Sequence, residues 1–108
     1  MGNRNTASGN HPMPLPKPLK FHLGRVMITP GAATTVADDQ ITDALRRHQC
    51  GDWGLLDSRE KKCNEQALRS GGWILSAYND PKSGERFLII TQPNRIITTV
   101  MVPNEFGE

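Results

Sequence analysis

The sequence lacks any hydrophobic run long enough to cross a membrane. Its longest apolar stretch is residues 87–90, whereas a membrane-spanning helix needs about 20 apolar residues. The first ten residues are almost all polar, so the start of the chain does not have the pattern of a signal peptide. These features predict a soluble, cytoplasmic protein that does not act at a membrane.

Cysteine is also scarce, and the metal-ligand residues are poorly spaced. The chain has two cysteines, Cys50 and Cys63, and a non-secreted chain more often keeps two thiols reduced than bridged. His48 adds another ligand type, but no CxxC or HxxxH pair brings two ligands together. Phosphate-binding loops are lacking too, because Gly71 and Gly72 follow a helical segment instead of preceding one. The sequence therefore predicts no metal and no cofactor.

Basic charge is in excess only near the N-terminus. The first 22 residues carry three basic residues and no acidic one, whereas the remaining 86 carry ten basic and eleven acidic residues. Nonspecific nucleic-acid binding depends on a basic surface, so a nearly neutral body does not favour it. The composition leaves room only for a local basic patch, which RNA would require.

Prolines alternate with other residues in the same N-terminal segment, at positions 12, 14, 16 and 18. Alternating prolines remove backbone donors and favour extended conformations, so no packed core is expected there. The sequence predicts a disordered proline-rich arm over residues 1–22 and a single small α+β domain over residues 23–108. The arm is also a candidate docking peptide for a partner.

Two helices are predicted in the first half of the domain. After the acidic pair at 38–39, one helical face carries the stripe Ile41, Ala44, Leu45 and His48. Asp57 followed by Glu60 has capping-box spacing and predicts the start of a second helix, which Gly71 ends.

Beyond Gly71 the helical spacing gives way to alternation of apolar and polar side chains. Residues 73–79, 86–92 and 95–102 are rich in β-branched and aromatic residues and predict three strands, and residues 25–29 predict a short first one. The predicted order is β-α-α-β-β-β. We therefore expect an α+β fold in which an antiparallel sheet of about four strands carries two helices on one face.

The densest set of chemically active side chains is His48, Asp52 and Trp53. Histidine titrates near neutral pH, and Asp52 would orient its ring, so His48 is a candidate general acid or base. The alternative interpretation is a partly buried histidine that ends its helix and packs on Trp53. Both interpretations stay open at the level of sequence.

A second candidate site is the polar face of the predicted sheet, formed by Ser76, Tyr78, Arg86, Arg95 and Thr99. Arginine binds phosphate oxygens and a nearby imidazole transfers protons, so this set suits a phosphodiester substrate. The alternative is that these arginines are solvated strand residues, which also discourage edge-to-edge aggregation.

From Gly24 onward, over about four-fifths of the chain, the sequence resembles a group of small uncharacterised proteins encoded on bacterial plasmids and integrated elements. The residues that carry the resemblance are Ile28–Ala32, Arg47–Gln49, Gly51–Gly54, Asn64, Ala67–Leu68, Ser70–Gly72, Leu75–Tyr78, Ile89–Thr91, Arg95 and Thr98–Thr99. Such proteins usually have an acidic residue before the arginine, whereas Gln92, Pro93 and Asn94 precede Arg95 here. The resemblance implies a mobile-element origin and no established activity.

The order of elements is also similar, at the level of the fold, to the barnase/RelE-like small ribonucleases. In that fold helices precede an antiparallel sheet, and a basic, hydroxyl-bearing face cleaves RNA. Arg95 with Thr98 and Thr99 on a late strand matches this arrangement loosely.

The sequence thus favours a non-enzymatic accessory or interaction domain of a mobile element. It would bind an unknown protein partner through its arm and through the sheet face that carries Arg86, Arg95 and Thr99, where polar and apolar residues are mixed. It would do so as a monomer or a homodimer. The candidate binding residues are Asp52, Trp53, Ser76 and Tyr78.

The main alternative is a metal-independent ribonuclease of the toxin type. In that hypothesis His48 is the acid or base, Arg86 and Arg95 hold phosphate, and Thr99 lies beside them. An inhibitor of a host defence enzyme is a third hypothesis.

Overall fold

The computed structural model describes residues 18–106, so most of the predicted arm lies outside the described residues. The elements are β1 (Arg25–Ile28), α1 (Pro30–Thr35), α2 (Asp38–Gln49), α3 (Ser58–Ser70), β2 (Ile74–Asn79), β3 (Arg86–Thr91), β4 (Ile97–Met101) and a 3₁₀ turn (Pro103–Glu105). Within residues 18–106, none of these helices has the length and hydrophobicity that a membrane span requires.

Local sequence signals set the ends of the two longer helices. Asp57 and Glu60 form the predicted capping box at the start of α3, and Gly71 ends that helix in the left-handed conformation, with φ of 85°. The start of α2 differs, because Ala37 is its N-cap residue and offers no side-chain acceptor. Asp80 supplies the acceptor instead, and its Oδ2 lies 3.0 Å from the Ala37 nitrogen.

The predicted α+β class is confirmed, but the sheet is mixed. Its strand order is β1-β4-β3-β2, with β1 parallel to β4 and the other neighbours antiparallel. The expected fold had a purely antiparallel sheet and two helices. Alternation along a strand marks its two faces but carries no information about the direction of its neighbour.

All three helices pack on one face of the sheet. Two clusters of buried side chains join helix and strand residues there. The larger contains Ala32, Val36, Ile41, Ala44, Tyr78, Phe87, Ile89, Val100 and Val102, and the smaller contains Trp53, Ala67 and Ile74. The stripe predicted for α2 therefore faces the core, as the spacing indicated.

The two edges of the sheet differ in how their backbone groups are satisfied. Along the outer edge of β2, the side-chain amide of Asn64 contacts both the nitrogen and the oxygen of Leu75, at 3.2 and 2.6 Å. The next outward groups, those of Ala77, bond to Trp53 O and Leu55 N at 3.3 and 2.8 Å. This edge is closed to further strand pairing.

Gly54 permits that closure, because its φ is +73° and a Cβ there would lie 2.0 Å from Ala77 O. We expect Gly54→Ala to lower the free energy of unfolding by about 2–4 kcal/mol, since the backbone must move away from β2. Gly71→Ala is the matched control: its φ is +85° but nothing lies within 4 Å of an added Cβ. It should cost only about 1 kcal/mol. Equal losses in urea titrations of the two variants would contradict this account of the edge.

Candidate functional site

His48 lies in the last turn of α2 and is completely buried, with 0% of its surface exposed. Its Nδ1 is 2.5 Å from Ser76 Oγ on β2, and its Nε2 is 2.9 Å from Thr91 Oγ1 on β3. Thr91 Oγ1 is in turn 2.7 Å from Thr98 Oγ1 on β4. The Thr98 hydroxyl donates to the Leu23 carbonyl oxygen at 2.7 Å. We call His48, Ser76, Thr91 and Thr98 the His48 network.

The end of this chain of contacts fixes the direction of every hydrogen bond in it. A carbonyl oxygen only accepts, so Thr98 must use its single proton on Leu23. Thr91 must then donate to Thr98, and His48 Nε2–H must donate to Thr91. The Nδ1 of the neutral ring is left as an acceptor, and Ser76 donates to it. The network is therefore satisfied from end to end by a neutral imidazole.

The electrostatics favour the same protonation state. Burial, and secondarily the positive charge of Arg95, lower the pKa of His48 to about 3. An imidazole with this pKa is neutral throughout the physiological range. In this closed arrangement His48 has no proton to give to a substrate near neutral pH, and both of its nitrogens are engaged.

The segment just before β1 seals the network from solvent. The Phe21 ring meets His48 edge-on, with centroids 5.2 Å apart, and stacks on Trp53 at 6.3 Å. One backbone and one side-chain hydrogen bond hold the segment to the end of α2: Lys20 N donates to Gln49 O at 2.8 Å, and the Gln49 side-chain Nε2 donates to Phe21 O at 2.9 Å. Access to His48 would require this segment to move.

The residues predicted to bind a partner at the end of α2 anchor the following loop. Trp53 is buried and donates from Nε1 to Glu65 on α3 at 2.9 Å. The Tyr78 hydroxyl donates to the backbone oxygen of Asp52 at 2.6 Å, and burial raises the pKa of Tyr78. The Asp52 carboxylate lies 2.8 Å from Arg47, whose charge in turn lies over the Tyr78 ring. Ser76 belongs to the His48 network.

Arg95 lies on the helix side of the sheet, in the loop between β3 and β4. It has a left-handed backbone, with φ of 60°. Its guanidinium donates to Ala67 O, Gly72 O and Gln92 O at 2.9, 2.6 and 3.0 Å. It also lies 5.8 Å from the centroid of the Phe21 ring. Arg95 thus caps the negative end of α3 and braces the covering segment.

Arg86 and Thr99 are on the opposite face of the sheet from His48. Strand registers place Arg86 beside Asn79, and Thr99 beside Ile90 and Met27. Of the four residues proposed for ribonuclease chemistry, the structure therefore brings His48 and Arg95 to the two sides of Phe21 and leaves Arg86 and Thr99 on the other surface.

That other surface, which we call the open sheet face, is mostly apolar. Its strand residues are Arg25, Met27, Leu75, Ala77, Asn79, Arg86, Leu88, Ile90, Ile97, Thr99 and Met101. None of them belongs to the two core clusters that the helices cover, but Ala77 and Ile90 are buried, with 3% and 8% of their surface exposed. Both charged side chains that the strands place on this face are basic.

Sequence reasoning named Thr98 only beside Arg95, and it missed Thr91, the connection of both threonines to His48 and the role of Phe21. Thr91 and Thr98 fall on the apolar face of the predicted strands, and a hydroxyl at such a position needs a buried partner. This need for a buried partner was the sequence signal that could have identified both threonines. Phe21 belongs to the predicted arm, where no packing pattern marks it.

No protein-family model, curated protein or solved structure matches this chain. Within residues 18–106, no group of three or more histidine, cysteine, aspartate or glutamate residues is arranged to hold a metal ion.

The buried neutral histidine predicts a specific loss of stability in acid. Because the folded pKa of His48 is about 3 and the ordinary value is 6.5, between these values the unfolded chain binds a proton that the folded chain does not. The contribution of His48 to the free energy of unfolding is therefore fully present above pH 6.5. It falls by up to about 1.4 kcal/mol per pH unit as the pH drops toward 3.

We expect urea titrations across this range to show a steeper slope for the wild type than for His48→Gln. Asp80 and Glu105, whose pKa values are lowered chiefly by hydrogen bonds, add acid lability to both proteins, so the difference isolates His48. Parallel slopes would mean that His48 is not buried as a neutral ring.

The derived hydrogen-bond direction is testable by nitrogen NMR. The Nδ1 of His48 should have the chemical shift of a bare ring nitrogen, and Nε2 that of a protonated one. In Thr98→Val the hydrogen bond to Leu23 O is lost, so nothing fixes which group of the network donates to which. We therefore expect a mixture of the two His48 tautomers in this variant. A protonated Nδ1 in the wild type would reverse the proposed chain of donors.

Proposed function

We propose that this protein is a non-enzymatic interaction domain whose open sheet face binds an apolar segment of another protein. The observation that carries the proposal is that apolar side chains on four adjacent strands lie outside both helix-covered clusters. Met27 is 48% exposed, and Leu75, Leu88, Ile97 and Met101 are partly exposed. Monomeric soluble proteins rarely leave large contiguous apolar surfaces in water unless they serve recognition. In this proposal the domain acts in the cytoplasm.

Charge on this face indicates the chemistry of the partner. Arg25 and Arg86 border the apolar side chains, and the strands place no carboxylate there. Opposite charges at the rim of an interface steer association, while like charges reject wrong partners. The partner segment is therefore apolar at its centre and acidic at its margins. In this proposal the interaction serves a mobile element, as the resemblance drawn from the sequence implies.

The ribonuclease hypothesis has less support. It needs His48 to reach a substrate, but His48 is fully buried under Phe21, with both ring nitrogens engaged by hydroxyl groups. It also needs free arginines, but Arg95 directs two guanidinium nitrogens to backbone carbonyls and Arg86 lies on the opposite face.

Anilinonaphthalene sulfonate is a suitable first probe of the open sheet face, because it joins an apolar ring system to one anionic group. We expect the folded protein to bind it, and Leu88→Glu to weaken binding about tenfold by removing apolar surface and adding repulsion. Thr42→Glu, on the exposed side of α2, is the matched control and should bind as the wild type does. Fluorescence titration measures both affinities.

A second measurement tests the partner chemistry with synthetic peptides in which leucines are flanked by glutamates or by lysines. Amide chemical-shift changes should appear with the acidic peptide and map to β2, β3 and β4. Arg86→Glu should reverse the preference between the two peptides, whereas Arg59→Glu on α3 should not. Binding of neither probe, or binding mapped to the helices, would overturn the proposal.

A further inference from the structure

Among residues 18–106, no segment covers the outer edge of β1, in contrast to the edge of β2. β1 is a terminal strand of the sheet, and its three apolar residues are all exposed: Val26 by 38%, Met27 by 48% and Ile28 by 45%. Within residues 18–106 no segment pairs with its outer side. Proteins often protect such edges with lysine, proline or a bulge. The strand β1 contains neither lysine nor proline, its register with β4 is uninterrupted, and its short length and Arg25 are the protections that it does have.

The direction of the backbone groups on β1 follows from its pairing with β4. Arg25 N donates to Ile96 O at 2.7 Å and Thr29 N donates to Val100 O at 3.0 Å, so these residues point their polar groups inward. Backbone groups alternate along a strand, and those of Val26 and Ile28 therefore point outward. These two residues hold the donors and acceptors that a new strand would use.

We infer that this edge pairs with β1 of a second copy of the chain, antiparallel about a two-fold axis at Met27. This register sets Val26 against Ile28 of the second copy, so the outward groups of both copies meet as hydrogen-bonded pairs. It also places the two exposed apolar side chains side by side on one face. An isologous contact of this kind is self-complementary.

Charge complementarity selects the second copy as the occupant. In the same register Arg25 lies opposite Thr29 of the other chain. The Thr29 hydroxyl donates to Glu105 Oε1 at 2.6 Å, which places that carboxylate beside the approaching guanidinium. Hydrogen bonds, chiefly from Thr29 and from Val102 N, lower the pKa of Glu105 and keep it charged. Within residues 18–106 neither Arg25 nor Glu105 has an ion-pair partner in its own chain.

The resulting dimer has a continuous eight-stranded sheet, with both open sheet faces on one side. This inference rests on the edge of β1 and is independent of what the open sheet face binds. A contact made by two short strands is small, so the dimer should be weak and depend on concentration.

Sedimentation equilibrium of the full chain tests the inference, over concentrations from about 10 μM to 1 mM. We expect a reversible monomer–dimer equilibrium. Val26→Lys should weaken it at least about tenfold, because it buries a charge at the contact. Leu55→Lys is the matched control, since Leu55 is 48% exposed at the opposite edge of the sheet and should leave the equilibrium unchanged. A monomer at every concentration would overturn the proposal.

Two further measurements distinguish loss of the dimer from misfolding of a variant. Val26→Pro removes only an outward donor, so it should preserve the thermal transition of the monomer while abolishing the dimer. In the wild type, hydrogen exchange at the Val26 and Ile28 amides should slow as concentration rises, while that of Met27, which bonds inward, stays slow throughout. A dimer without added protection at Val26 and Ile28 would show that another surface forms it and would overturn this register.

Discussion

The buried imidazole of His48 is the contact on which the architecture depends. Its ring joins α2 to β2 and β3, and the hydroxyls beyond it continue to β4 and to the segment before β1. Each polar group in this line would cost free energy if its neighbour were missing, because all are shielded from water. This line of hydrogen bonds therefore fixes the strand register, because the strands and α2 can satisfy all of its polar groups in only one relative position.

The same arrangement explains why a histidine with a sequence context typical of catalysis serves packing in this state. An acid–base residue needs access to its substrate and a pKa near the working pH. His48 has neither, because Phe21 covers it and burial lowers its pKa to about 3. Arg95 likewise serves the fold, because its charged guanidinium is directed to the carbonyl end of α3. Both residues use their polar groups to hold structural elements together.

Much of the fold could be predicted because local rules determine it. The stripe on α2, the capping box at Asp57 and the alternation after Gly71 each depend on neighbours within a few residues in sequence. The parallel contact of β1 with β4 could not be predicted, since it joins residues about 70 positions apart and depends on the whole arrangement. The loop before β4 is longer than a two-residue turn, and Gln92 pairs with Ile97 across it. A proline at position 93 disfavours a two-residue hairpin turn, but it does not specify the register of a longer loop.

The candidate site, like the fold, could be predicted only in part. His48 and Ser76 were identified as chemically active types, but their meeting, and the arrival of Thr91 and Thr98, require three strands and a helix to assemble first. The separation of Arg86 from Arg95 follows from the loop, which turns Arg95 out of strand geometry with φ of 60°. Spacing along a chain cannot predict that change of side.

The strand order has a consequence for synthesis of the chain. Of the described elements β1 is synthesised first, yet the strand it pairs with comprises residues 97–101. While the ribosome adds the helices and the middle strands, the apolar residues of β1 have no sheet to join. The nascent chain therefore carries an unpaired strand until residue 101 has left the exit tunnel. The sheet can close only after that point, and chaperones that hold extended apolar segments could bind residues 25–28 before it closes.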